Sequence, residues 1–291
     1  MAESATPRDI FIAALWMLGA IASFTAMAIA GREVSVDLDT FEIMFFRSLI
    51  GIVIVVSLGA ATGKLAGVKT DRIPLHFIRN ISHFFGQNLW FYALPLIPLA
   101  QLIALEFTLP LWVLLLSPLL LGERITRIGA MSAGLGFVGV LLVAQPGSGP
   151  LNIGIITAAF AAIGFALSAI FTRKLTSDQS ITTIMFYLTV MQAIFGGICI
   201  LLFSDFNYPS PTSVPLVILI GCAGLLAHFC LTTALSLAPA SIVMPIDFFR
   251  LPVMAFIGML FYGEAFSLLI FAGALLIFGA NYLNIVYSQK R

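Results

Sequence analysis

The chain has 291 residues, of which 60% are apolar and only 9% charged, with a formal net charge of +1. A mean hydropathy of +1.09 excludes a soluble domain, in which about a quarter of the residues carry charge, and the near-neutral balance argues against a nucleic-acid partner. Cys199, Cys222 and Cys230 sit in apolar runs without metal-like spacing and read as small buried residues.

Ten apolar stretches follow one another: 10–30, 42–60, 74–94, 99–120, 127–145, 152–172, 181–203, 214–235, 240–262 and 266–287. Each is close to the roughly 20 residues that a helix needs to cross a bilayer core, so the fold class is an all-α membrane protein with ten transmembrane helices. The acidic N-terminal segment leads straight into the first span, so no removable signal peptide is expected, and the polar links are too short for an extramembrane domain. Pro95–Pro98, Gln145–Pro150 and Pro239 mark tight turns.

Five charged residues lie deep in these spans, where an ionisable group costs about 2.5–3.5 kcal/mol and needs a partner or a function. Arg47 is in span two and Arg79 in span three; each can snorkel to an interface or act as a gate or partner. Span three is the most polar helix. Arg79, His83, Gln87 and Trp90 form one stripe, and Asn80, Phe84, Asn88 and Phe91 the next, so this face should look into the bundle. Glu106 is near the middle of span four. Span eight carries His228, and span nine carries Asp247 and Arg250, three apart and able to pair along one helix face. Pro110, Pro245 and Pro252 invite kinks in spans four and nine beside Glu106 and Asp247. Gly122-Glu123 and Gly263-Glu264 end those two spans: Gly stops the helix, and the carboxylate is expected to serve the free N–H groups of the next one. Small residues crowd spans five, six and ten, for close packing or a homodimer surface.

A shift of 141 residues lays the chain on itself without a gap. Between Ala93 and Arg124, eight of 32 positions are identical to their mates. Glu106 falls on Asp247, Gln87 on His228, Phe24 on Phe165 and Phe137 on Phe278, whereas Arg250 falls on Leu109. The chain thus divides into repeats 1–148 and 149–291 of five spans each. Five is odd, so the second copy enters the membrane from the opposite face and the repeats are inverted. With the N-terminus inside, Arg8, Lys64, Lys69, Arg72, Arg124, Arg127, Arg173, Lys174, Lys290 and Arg291 fall on the cytoplasmic side and only Arg32 outside. Both termini are therefore expected to be cytoplasmic, in a multi-pass protein of the cell membrane.

No phosphate-binding loop, HExxH, GxSxG, paired Cys/His spacing, voltage-sensor spacing or potassium-filter motif is present. Enzymatic and channel readings therefore lack their usual anchors, and no cofactor or metal is expected. The five-span unit resembles the drug/metabolite transporter superfamily, EamA type. The resemblance is carried by Phe45-Phe46-Arg47, by Trp90-Phe91-Tyr92-Ala93-Leu94 with Ile97-Pro98-Leu99-Ala100, and by Leu109-Pro110-Leu111 through Leu121-Gly122-Glu123-Arg124. The stretch Ala234-Leu235 through Tyr262-Gly263-Glu264 matches too, and Phe41-Glu42-Ile43 and His76-Phe77-Ile78-Arg79 resemble the S-adenosylmethionine-uptake and riboflavin branch. That resemblance implies alternating access around a central cavity. Acids (Glu106, Asp247), bases (Arg79, Arg250, Arg47) and aromatics suit a small zwitterion, an amino acid or derivative, with possible proton coupling. The candidate substrate-binding or coupling residues are Glu106, Asp247, Arg250, Arg79, Gln87, His228, Trp90, Asn88, Arg47 and His83. A carboxylate held by the arginines is the alternative; a lipid-acting enzyme or a non-transporting scaffold is more remote.

Overall fold

The computed structural model describes residues 6–122, 126–145, 152–176, 178–238, 243 and 246–288. Glu123, Arg124, Pro239, Pro245, Lys290, Arg291 and the turn at 146–150 lie outside these described residues. The described helices are α1 (Pro7–Val34), α2 (Thr40–Ala61), α3 (Ile73–Ala93), α4 (Leu99–Glu106), α5 (Leu109–Leu121), α6 (Arg127–Ala144), α7 (Ile153–Leu175), α8 (Ile181–Phe203), α9 (Ser213–Leu237), α10 (Arg250–Tyr262) and α11 (Leu268–Ser288). They build ten membrane-crossing segments in two inverted repeats. Seven described segments are long and apolar enough to cross on composition alone. The polar stripe of α3 keeps it out of that set.

The first span is longer than expected. Thr6 and Asp9 form a capping box and Pro7 opens the first turn, so α1 starts at Pro7 and runs 28 residues to Val34. Arg32 consequently sits in the last helical turn, where a cation complements the helix dipole.

Spans four and nine are interrupted for two residues each, with Phe107, Thr108 and Phe249 keeping right-handed helical angles. The chain leaves the helix at Phe107-Thr108 and re-enters as α5; it turns at Phe248-Phe249 and re-enters as α10. The two breaks are repeat mates. Pro110 and Pro252 fall in the first turns of the second half-helices, where N–H groups have no intrahelical partner, so proline costs little there. The Thr108 hydroxyl donates to the Leu105 carbonyl (2.7 Å), and Asn281 of α11 donates to the Phe107 carbonyl (2.9 Å), which satisfies backbone freed by the break.

Packing follows the repeat. The main contacts pair α1 with α9, α3 with α7, α2 with α8 and α6 with α11, while α4 meets α10. The offset carries α1–α9 onto α7–α3 and maps α2–α8 and α6–α11 onto themselves, while α10 is the mate of α5. Every large interface is therefore formed between the repeats, around one pseudo-two-fold axis. Spans five and ten touch backbone to backbone: a Cβ on Gly139 would lie 2.6 Å from the Gly273 carbonyl oxygen. The small-residue stripe is thus spent within the chain, with Ser132, Ala133, Gly136, Ala158, Ala162 and Ala274 all buried.

Gly122 and Gly263 end α5 and α10 in the left-handed region, at φ 69° and 62°. Glu264 does not serve the helix that follows it. Its Oε2 accepts from the Leu99 N–H at the start of α4 (2.9 Å), and its Oε1 pairs with Arg32. The acid therefore caps a helix of the other repeat. Glu33 accepts from the Tyr262 hydroxyl (2.7 Å) beside it, and the Arg32 guanidinium lies 4.3 Å from the Tyr262 ring centre. This ties α1, α4 and α10 together at one end of the bundle.

Candidate functional site

The polar face of α3 points inward. Arg79, Asn80, His83, Gln87, Asn88 and Trp90 are buried, whereas Phe77, Ile81, Phe85 and Tyr92 are exposed. A helix with such a stripe has one low-cost orientation in a bilayer, with its hydrogen-bonding groups against other helices. α3 thereby carries one wall of two linked polar regions.

The first region is centred on the two helix breaks. Arg250 Nη2 lies 2.8 Å from Glu106 Oε1 and 3.3 Å from Asp247 Oδ2. Trp90 Nε1 donates to Glu106 Oε2 at 2.8 Å. The Asp247–Arg250 contact expected along one helix face is present, but it spans the break at Phe248-Phe249. The guanidinium is sandwiched between aromatic rings, 4.8 Å from the centre of Phe24 and 5.1 Å from that of Phe107. Phe107 in turn stacks on its repeat mate Phe248 at 4.9 Å. Arg250 and Asp247 are buried and Glu106 half-buried. One cation thus bridges acids from both repeats on the pseudo-axis, while Asp247 Oδ1 and Arg250 Nε have no protein partner.

The second region is a cleft between α2, α3, α8 and α9 with an empty volume of about 370 Å³. Its lining includes five pairs of repeat mates: Arg47 and Leu188, Ser48 and Thr189, Gly51 and Gln192, His83 and Gly224, Gln87 and His228. The cleft therefore also straddles the axis. The rings of His83 and His228 lie 6.2 Å apart. Phe24 packs edge-on against His228 at 5.5 Å, and its mate Phe165 lies 5.8 Å from His83.

Two of the ten candidates do not reach either region as free groups. Asn88 donates to the Phe84 carbonyl of its own helix (2.8 Å). Arg79 is held by Thr172 (3.0 Å) and Asn80 (2.7 Å), tying α3 to α7 rather than pairing with an acid. Ser48, Thr189, Gln192 and Gly224 were missed as lining residues. The repeat offset contained a signal for them, because it pairs hydroxyl with hydroxyl at 48 and 189. Among the described residues no cluster of His, Cys, Asp and Glu suits a metal ion.

Comparison with known proteins gives the repeat a family. The model of the EamA-like transporter family matches residues 11–145 and again 152–286, the two matches displaced by 141 residues. The chain belongs to the EamA-like transporter family. An S-adenosylmethionine uptake transporter of Rickettsia bellii is 26% identical over 95% of this chain and 94% of its own. A riboflavin transporter of Rhizobium johnstonii is 28% identical over 98% and 94%. A pseudopaline exporter of Pseudomonas aeruginosa is 30% identical over 90% and 92%. A solved crystal structure, 20% identical, shares the fold at a TM-score of 0.64 over 96% of this chain and 98% of its own. The expected family is thereby shown: this is a multi-pass protein of a transporter family, not an enzyme.

Proposed function

We propose that this EamA-family protein is a secondary active transporter that moves a small organic metabolite, with an amino acid or an amino-acid-derived zwitterion or cation favoured. The observation that carries this reading is the Glu106–Arg250–Asp247 bridge, set where both repeats break their helices on the pseudo-axis. Broken helices at a repeat interface are where such transporters place substrate and coupling-ion sites. The relatives named for S-adenosylmethionine and pseudopaline support an amino-acid-derived cargo, and the riboflavin relatives keep a larger aromatic one in the panel.

Alternating access follows from the repeat symmetry. With both termini cytoplasmic, the Arg32–Glu264, Leu99–Glu264 and Glu33–Tyr262 contacts close the outer end. In the sequence the 141-residue offset pairs Arg32 with Arg173 and Glu264 with Glu123, the same residue types in the other repeat. A coupling proton is part of this reading, with Glu106 and Asp247 as the acids on hand.

The test is uptake into proteoliposomes of radiolabelled S-adenosylmethionine, methionine, glutamate and riboflavin, with and without a pH gradient. Saturable flux of an amino-acid-derived solute is expected. Flux of riboflavin alone would move the substrate to the aromatic class, and an absence of saturable flux across the panel would count against the reading.

A further inference from the structure

Arg47 is the anomaly of the cleft. It lies on α2 well inside the apolar span, and no carboxylate among the described residues pairs with it. A guanidinium has five N–H donors and no acceptor. Its one hydrogen-bond contact here is to the Met44 sulfur at 3.8 Å, a weak acceptor in its own helix, and the Phe91 ring centre lies 5.8 Å away. The fold nevertheless makes room for it: a Cβ on Gly224 would lie 2.7 Å from Arg47 Nη2. The side chain is half-buried and open to the cleft, whose lining among the described residues contains no acid. Around it stand Ser48, His83, Gln87, Thr189, Gln192 and His228, and Gln192 Oε1 is a buried acceptor with no partner. Arg250, by contrast, is already engaged by Glu106 and Asp247.

Resting on the transport reading above, we propose that Arg47 is the carboxylate subsite of the cleft and that the cargo is a carboxylate-bearing amino-acid derivative. The planar fork of the guanidinium matches a carboxylate bidentately. Gln192 Oε1 supplies an acceptor for an ammonium N–H. Arg47 thus takes the role that the charge pattern alone offered equally to Arg79 and Arg250.

The probe pair is S-adenosylmethionine and its decarboxylated form, which lacks only the carboxylate. Binding of each is titrated to the full chain in lipid nanodiscs, for wild type, Arg47→Gln and Arg47→Lys. Wild type should bind the carboxylate form at least about tenfold more tightly, the usual scale of a charge-assisted hydrogen bond. Arg47→Gln should bring that affinity down to that of the decarboxylated form while leaving the latter unchanged, which shows an intact site, and Arg47→Lys should restore part of the difference. Wild type that binds both forms alike or neither, or Arg47→Gln that still discriminates, overturns the proposal. Carboxylate-dependent binding without flux would keep the subsite and remove the transport reading; flux indifferent to Arg47→Gln would do the reverse.

Discussion

At the residue scale one guanidinium is shared by two acids. A buried ion pair gains little over a well-packed apolar substitute, but removing one partner leaves uncompensated charge and costs about 3–5 kcal/mol. Arg250→Leu should therefore lower the melting temperature in detergent, and adding Glu106→Gln and Asp247→Asn should recover most of that loss without recovering transport. A triple variant as unstable as the single one would show that the bridge is not an electrostatic unit. The sequence made part of this legible. The offset paired Glu106 with Asp247, and a short spacing linked Asp247 to Arg250. The contact from Arg250 to Glu106 joins positions 144 apart, and no local pattern encodes it. The missing partner of Arg47 was equally invisible, because the lack of an acceptor is a property of four helices together.

At the element scale the breaks and the glycine contacts decide the architecture. Pro110 and Pro252 each follow a two-residue interruption of their span and fall in the first turn of the helix beyond it. The physical reason is position, since proline is tolerated in a first turn and disruptive within a helix. The loops repeat this logic. The Asp37 carboxylate accepts from the Ser210 N–H (2.9 Å); the carboxylate of its mate Asp178 pairs with Arg72 (2.7 Å), and the Asp178 backbone carbonyl accepts from Lys69 (3.1 Å), the mate of Ser210. The strap is thus held by a backbone N–H at one end of the bundle and by Lys69 and Arg72 at the other. The role of Glu264 was misread because its partners, Leu99 and Arg32, belong to the other repeat. Close packing gives a sharp contrast: Gly139→Val drives methyls into the Gly273 backbone and should cost about 1–3 kcal/mol. Gly134→Ala, in open space, should leave the melting curve unchanged. Equal effects would contradict the α6–α11 contact.

At the scale of the whole molecule the Glu264 contacts tie α1, α4 and α10 together at one end of the bundle, away from the Glu106–Arg250–Asp247 bridge. The closure at Glu264 is directly testable. Ala100 is buried beside Glu264, so Ala100→Cys, in a background without Cys199, Cys222 and Cys230, should react slowly with a membrane-impermeant thiol reagent. Adding Glu264→Gln should accelerate labelling several-fold by releasing Arg32 and the Leu99 N–H; unchanged labelling would remove the gate role. The central claim is that the acid-bridged break on the pseudo-axis performs transport, and solute counterflow in proteoliposomes tests it most directly. With the substrate found in the panel, wild type should show saturable counterflow, and Asp247→Asn, folded to the same melting temperature, should lose it. An Asp247→Asn protein that keeps full counterflow with unchanged pH dependence would contradict the account.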